Sequence, residues 1–282
     1  MNPTIFPDKL ITMKRALIVV ILISLVSSCA TSPTGRRQLM LISPDAAIVE
    51  SKKAYLSTVS ELDSQNKLVD DPEIVKRVQT ITGHLVAEAV ALYPHSADWE
   101  WSVAIIDDPK TVNAWCMAGG RMAVYTGLFE KLQLTDDEFA HIMGHEISHA
   151  LANHTAERMS RAMASSLGII AIGISSDNST ATMAGAAVAA KLALELPNSR
   201  TAESEADKIG MQLATLAGYQ PEAAVTLWQK MGSLDKSATP KFLSTHPSPG
   251  NRESTLAALV PEMNMLNPEH IHPAPYPIDI VK

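Results

Sequence analysis

Several residue types that mark common protein classes are scarce in this sequence. It has two cysteines among 282 residues, Cys29 and Cys116. Because Cys29 ends an apolar N-terminal stretch, Cys116 has no partner within the chain, so we expect no internal disulfide. We assign Cys116 no chemistry. Basic residues form no clusters and the net charge is −7, which argues against nucleic acid as a partner. No apolar run reaches the roughly twenty residues that a membrane-spanning helix needs. The composition instead fits a single globular domain.

The N-terminal stretch has the form of a bacterial lipoprotein signal peptide, predicted to span residues 1–28. Two basic residues follow Met13, which is a candidate start of translation. An apolar run follows over residues 16–26, and small residues then precede Cys29. We therefore predict that Cys29 is lipidated and that its lipid chains attach the protein to a membrane. Ala30 stands where retention in the inner membrane would require aspartate. This favours the outer membrane of a bacterial cell envelope, with the protein facing the periplasm.

Residues 145–149 read H-E-I-S-H inside a strongly helical segment. His145 and His149 are four residues apart, so on a helix they lie one above the other and can direct imidazole nitrogens at one zinc ion. Glu146 points at an angle to this pair, so it is better placed to take a proton from the attacking water and is the predicted general base. The pattern of Thr135 and Glu138 is that of a capping box, which marks the start of this helix.

A third zinc ligand is predicted further along the chain. A catalytic zinc ion keeps three protein ligands and one open position, and a carboxylate after two histidines completes one such set. Glu203 is the preferred ligand, with Asp207 one helical turn later accepting a hydrogen bond from a ligand histidine. Glu205 is the alternative ligand, but at this spacing it faces away from Asp207 and is expected to be solvated.

Other histidines near the motif do not define a second site. A metzincin site requires H-E-x-x-H-x-x-G-x-x-H. Ala152 replaces its glycine, Thr155 replaces its third histidine, and His154 comes one place early. His141 lies one turn before the motif. We assign no role to His141 or His154.

The remainder of the chain is predicted to be mainly helical with a small antiparallel sheet before the zinc helix. Residues 29–44 are predicted to be a tether, 45–260 the folded domain and 261–282 a proline-rich extended tail. The expected strands are 99–107, 112–118 and 121–125, with a turn at Gly119 and Gly120. An exposed edge strand could hold a peptide substrate by its backbone, and the candidate residues are Asn113, Ala114 and Trp115. An ordinary core hairpin is the alternative.

These motifs together resemble the CAAX-prenyl-protease and Oma-type zinc metallopeptidases. The matching segments are V-N-A-W at 112–115, G-H-E-I-S-H at 144–149, S-R-T-A-E-S-E-A-D at 199–207, and T-H-P at 245–247 followed by Arg252. They occur in the same order, and the resemblance is strongest to short bacterial periplasmic lipoproteins. It implies an α+β, mainly helical gluzincin, that is, a zincin-like metalloprotease domain with one zinc ion per chain.

The resemblance also implies that His246 and Arg252 border the cleft. His246 has two alternative roles, as a donor to the oxyanion of the reaction or as a fourth zinc ligand that silences the site. We predict a zinc metalloendopeptidase that cleaves unfolded or misassembled envelope proteins. The alternative is a non-catalytic or latent zinc-binding lipoprotein that acts as a binding or assembly factor. The sequence defines no oligomeric state.

Overall fold

The structure, a computed structural model, describes residues 29–175, 199–234, 241–247 and 250–281. The predicted signal peptide lies outside these residues, and lipidation of Cys29 stays a prediction. Within the described ranges, no helix combines the length and the apolar character needed to cross a membrane. The described residues fall into two compact units, one containing 29–43 and 156–175 and the other 44–155 and the described residues from 199 onward.

The smaller unit contains an antiparallel hairpin and most of one helix. Strand β1 (Cys29–Thr31) pairs with β2 (Arg37–Leu39), and the helix α5 spans His154–Ser175. The buried carboxylate of Glu157 accepts hydrogen bonds from Arg36 at 2.7 and 2.8 Å and from Gln38 at 3.0 Å. A buried carboxylate needs such partners, so the segment predicted to be a tether is in part an ordered hairpin bound to α5.

The larger unit contains a four-stranded sheet and eight α-helices that begin and end within its described residues. The helices are α1 (Pro44–Ser64), α2 (Pro72–Leu92), α3 (Gly127–Leu132), α4 (Asp136–Leu151), α6 (Arg200–Leu216), α7 (Ala223–Ser233), α8 (Lys241–Thr245) and α9 (Arg252–Met263). The strands are β3 (Ser102–Ile106), β4 (Ala114–Met117), β5 (Arg121–Tyr125) and β6 (Asp279–Val281). This mainly helical α+β architecture confirms the predicted fold class.

Helix starts follow the capping signals of the sequence. Asp71 caps α2 by accepting hydrogen bonds from two backbone N–H groups, and a proline occupies the first helical position. Thr135 and Glu138 form the predicted capping box at the start of α4. Ser199 caps α6, and Gly218, at a φ of 93°, follows its end. The ligand-bearing helices α4 and α6 therefore have boundaries set by local chemistry.

The sheet is mixed, with strand order β4-β5-β3-β6, and only β4 and β5 pair antiparallel. Residues 261–282 were predicted to be an extended tail. Instead, β6 pairs parallel with β3, because β3 is buried along its whole length and its second edge needs a hydrogen-bonding partner. The approach to β6 crosses α2 at Gly83, where a Cβ atom would lie 2.9 Å from Tyr276 O. Pro261, the predicted start of the tail, lies inside α9.

Glu138 carries a prediction about stability. Its carboxylate accepts hydrogen bonds from Thr135 N–H, the Thr226 hydroxyl and Lys230 Nζ at 2.6 to 2.9 Å. Burial by itself raises the pKa of Glu138, but these hydrogen bonds, with Lys230 first, leave the pKa below its ordinary value. The ionised carboxylate therefore stabilises the fold at neutral pH, and this contribution is lost as the pH falls through the folded-state pKa.

We expect Glu138→Gln to lower the free energy of unfolding by about 1–2 kcal/mol at pH 7, at the low end because Lys230 is partly exposed. The difference from the wild type should vanish at acidic pH. Urea unfolding of chelator-treated protein from pH 7 to pH 3 measures it. Glu130→Gln, which changes an exposed glutamate of α3, is the matched control. If Glu138→Gln and the wild type differ in free energy of unfolding by the same amount at pH 7 and at pH 3, the ionised Glu138 carboxylate is not the source of the stabilisation.

Candidate metal centre

The two motif histidines lie on the buried helix α4, and their Nε2 atoms are 3.0 Å apart. Helix α6 packs directly against α4, because both helices carry glycine at their crossing. A Cβ atom on Gly144 would lie 2.8 Å from the carbonyl oxygen of Gly210, and one on Gly210 would lie 2.7 Å from His145 N. The close approach of the two backbones brings the carboxylates of α6 within reach of the histidines.

Glu203 lies opposite the two histidines and is fully buried. Its Oε2 atom is 3.3 Å from His145 Nε2, and its Oε1 atom is 3.4 Å from His149 Nε2. Burial by itself would raise the pKa of Glu203, but hydrogen bonds from His145, His149 and His246 outweigh burial and hold the pKa well below its ordinary range. Glu203 is therefore ionised and faces both imidazoles.

His246 brings a further nitrogen to the same point. Its Nδ1 atom is 3.2 Å from His145 Nε2 and 3.2 Å from Glu203 Oε1. The donor atoms of His145, His149, Glu203 and His246 all lie within 4.8 Å of one another. Of the two roles considered for His246, this position matches that of a fourth ligand.

The donor set fits a zinc ion. Two ligands on a tetrahedral ion with bonds of about 2.0–2.1 Å lie about 3.3 Å apart, and four of the donor pairs in this cluster are 3.0 to 3.4 Å apart. Three imidazole nitrogens and one carboxylate are typical zinc donors, whereas magnesium and calcium prefer oxygen ligands alone. The convergence of these side chains is therefore that of a metal centre.

Asp207 contacts the ring nitrogen of His145 that does not face the donor cluster. This atom, His145 Nδ1, is 3.0 Å from Asp207 Oδ1, as predicted for a carboxylate one turn after Glu203. Arg252 donates to both oxygens of Asp207 at 2.6 Å and to Glu203 Oε2 at 3.2 Å. Its guanidinium also lies 3.6 Å from the ring centroid of Trp228. Arg252 is thus a buried partner of two site carboxylates.

Glu146 is buried beside the donor cluster. Its Oε1 atom is 3.4 Å from His246 Nε2 but accepts no hydrogen bond of good geometry from the described residues. Burial raises the pKa of Glu146 above its ordinary value. The backbone N–H of Cys116 lies near its carboxylate and opposes this effect of burial only slightly. A carboxylate with one unsatisfied oxygen and a raised pKa is suited to accept a proton.

Strand β4 is the terminal strand of the described sheet, as predicted for an edge. Tyr125 N–H donates to the carbonyl of Asn113, so Asn113 and Trp115 direct their backbone groups toward β5. Those of Ala114 and Cys116 point away from β5. Of the predicted trio Asn113, Ala114 and Trp115, only Ala114 directs its backbone groups toward the outer edge. The Trp115 side chain packs edge-on against Tyr55, with ring centroids 5.8 Å apart. The residues that face the edge are Ala114 and Cys116.

The prediction that Glu205 is solvated was wrong. Glu205 is 5% exposed, and its Oε2 atom lies 3.1 Å from His154 Nε2. His154 in turn contacts His149 Nδ1 at 2.7 Å. Helical spacing on α6 could not reveal this, because the partner, His154, lies on a different helix, at the start of α5. His141 has a structural role, since its Nε2–H donates to the backbone carbonyl of Gln220 at 2.8 Å.

Comparisons with known proteins agree with this site. Residues 72–260 match the family described as Peptidase family M48. The mitochondrial metalloendopeptidase OMA1 of Arabidopsis thaliana is 36% identical over 172 residues, covering 61% of this chain and 34% of the relative. The OMA1 metalloendopeptidase of Bos taurus is 31% identical over 241 residues, covering 81% and 45%. The β-barrel assembly-enhancing protease of Escherichia coli is 27% identical over 222 residues, covering 74% and 43%.

The fold and the histidine–glutamate cluster define a metallopeptidase-type centre. The chain belongs to peptidase family M48, as the resemblance in its motifs had indicated. It spans between about a third and a half of the length of these curated relatives.

Proposed function

We propose that this protein is a zinc-dependent endopeptidase. The observation that carries the proposal is the convergence of His145 Nε2, His149 Nε2 and the Glu203 carboxylate at 3.0 to 3.4 Å, with the unsatisfied Oε1 of Glu146 beside them. A site that only stabilised the fold would not need a buried base next to the donors. The membership in peptidase family M48 supports the same activity.

His145, His149 and Glu203 would hold the zinc ion, which when bound supplies a Lewis acid that polarises the peptide carbonyl. Glu146 accepts a proton from the attacking water through Oε1, and burial favours this transfer because it raises the carboxylate's pKa. Glu146 then returns the proton to the leaving amine. Asp207 keeps His145 oriented by accepting its Nδ1–H at 3.0 Å.

The substrate polypeptide binds in an extended conformation along β4. Backbone groups of Ala114 and Cys116 face the edge of the sheet, where they can pair with any sequence. The backbone N–H of Cys116 lies near the Glu146 carboxylate, so this edge is beside the general base. Backbone pairing of this kind requires an unfolded or extended segment, which favours unfolded protein as the substrate class.

Unfolded or misassembled envelope proteins are the proposed natural substrates, with the protein attached through Cys29 to the outer membrane and facing the periplasm. Two observations support this setting. The sequence before Cys29 has the pattern of a lipoprotein signal peptide. The bacterial relatives from Escherichia coli and Yersinia pestis are named β-barrel assembly-enhancing proteases.

We infer that His246 closes the site, which would make this arrangement a latent form of the enzyme. His246 Nδ1 lies among the ligand atoms, and its ring stacks on Phe242 at 4.5 Å. Phe242 N–H donates to the carbonyl of Val112, just before β4, where a bound peptide would continue. The segment that carries His246 would therefore supply a fourth zinc ligand and cover the start of the substrate edge.

We expect His246→Ala to raise peptidase activity, by about tenfold for every 1.4 kcal/mol by which the closed arrangement is favoured. If His246 instead donates to the oxyanion, the same change should lower activity by about 100- to 1,000-fold. Steady-state cleavage of a quenched-fluorescence peptide distinguishes the two outcomes. Ser244→Ala, which changes an exposed residue of α8, is the control.

Cleavage of reduced, unfolded casein by the purified protein tests the proposed activity. We expect cleavage by zinc-loaded protein, loss of cleavage in chelator and recovery when zinc is restored in excess of the chelator. His246→Ala is included so that a closed site is not mistaken for an inactive one. Cleavage that persists in chelator would rule out zinc chemistry. No cleavage by either zinc-loaded protein would favour a non-catalytic binding role.

A further inference from the structure

A buried histidine, His154, and a buried glutamate, Glu205, form a row of contacts on the side of His149 that faces away from the metal centre. His149 Nδ1 lies 2.7 Å from His154 Nδ1, and His154 Nε2 lies 3.1 Å from Glu205 Oε2. The side chains of His154 and Glu205 are 1% and 3% exposed. The first contact is as short as any hydrogen bond in the site apart from those of Arg252 to Asp207.

The three side chains form a hydrogen-bond chain with one direction. His149 presents Nε2 to the metal centre, so as a neutral ligand it carries its proton on Nδ1. His154 Nδ1 must then accept that proton's hydrogen bond, which leaves the proton of His154 on Nε2. Glu205 Oε2 accepts from that nitrogen. The glutamate thus fixes the tautomer of His154, which in turn fixes that of His149.

The turn between α4 and α5 makes this contact possible. Residues five apart on a continuous helix do not face each other, since neighbours on one face are three or four apart. Helix α4 ends at Leu151, Asn153 adopts a φ of 55°, and α5 begins at His154. Asparagine tolerates this left-handed conformation better than most residues. The reversal folds the His154 ring back against His149, with ring centroids 4.9 Å apart.

We propose that His154 and Glu205 are positioning residues for the metal ligand His149, acting through this relay. The two motif histidines are then oriented in different ways. His145 donates directly to a carboxylate that Arg252 holds, whereas His149 donates to an imidazole that a second carboxylate of α6 holds. Loss of the relay leaves His149 free to rotate or change tautomer, which weakens metal binding. This inference rests on the proposed function, because it requires His149 to bind zinc.

Zinc affinity tests the relay independently of peptidase activity. The zinc dissociation constant is measured by competition with a chromophoric chelator for the full chain. We expect His154→Phe, which keeps a ring but removes both nitrogens, to weaken zinc binding by about 10- to 100-fold. His154→Asn places an oxygen at the Nδ1 position and should restore affinity to within about threefold of the wild type. His141→Phe, at a buried histidine of α4 outside the relay, should leave it unchanged.

Variants of Glu205 provide a second measurement if His154→Phe does not fold. Glu205→Gln keeps an acceptor oxygen and should bind zinc nearly as the wild type does, whereas Glu205→Leu should bind it about tenfold more weakly. Thermal unfolding of the zinc-free proteins shows whether a variant has lost stability rather than orientation. Unchanged zinc affinity in Glu205→Leu or His154→Phe, or an equal loss in His141→Phe, would overturn the relay while leaving the peptidase intact. A wild type that binds no zinc would overturn the proposed function as well.

Discussion

Replacing Glu146 by glutamine is expected to lower peptidase activity by about two to four orders of magnitude, the usual contribution of a general base. The amide has nearly the same shape as the carboxylate but accepts no proton at neutral pH. Glu146 is fully surrounded by protein, so no solvent group replaces it. The loss should appear in kcat, because the proton is transferred in the chemical step.

The same variant should keep its zinc. Glu146 lies beside the donor cluster and is not among the four side chains whose ligand atoms converge. We therefore expect a zinc dissociation constant close to that of the wild type. The measurement is best made in a His246→Ala background, where the fourth position is open. Equal activity with and without the Glu146 carboxylate would assign the base to another residue and refute the mechanism.

Replacing Glu203 by alanine is expected to abolish zinc binding at concentrations that saturate the wild type. Its two oxygens face both motif histidines at 3.3 and 3.4 Å, so its loss removes the one carboxylate of the donor set. Affinity should fall by more than the roughly 100-fold that follows loss of a residue behind a ligand. Activity should disappear with the metal.

Thermal unfolding measures this loss directly. At a free zinc concentration about 100 times the dissociation constant, the wild type should gain about 2.7 kcal/mol, and for a chain of this size each kcal/mol raises Tm by about 2–4 °C. Glu203→Ala should show no such shift. Glu253→Gln, which changes an exposed glutamate of α9, is the control and should respond as the wild type does. If zinc raises the Tm of Glu203→Ala as much as it raises the Tm of the wild type, Glu203 is not a zinc ligand.

Much of the centre could be predicted from the sequence because its key spacings lie within single helices. Two histidines four apart on α4 must share a face, and the same spacing relates Glu203 and Asp207 on α6. Capping residues also act locally. The predicted start of α4 at Thr135 is therefore confirmed by the structure.

Other contacts depend on the tertiary structure alone. They join residues that are far apart in the chain or separated by a turn. His246 and His145 are 101 residues apart in the chain. Arg252 and Asp207 are 45 residues apart, and Glu205 and His154 are 51 residues apart. The last strand, β6, completes the sheet against β3, and the paired residues Ser102 and Asp279 are 177 positions apart in the chain. Helical and strand periodicity determine which side chains share a face of one element. Which faces meet depends on how the elements pack, and here the glycines at the α4–α6 crossing set that packing.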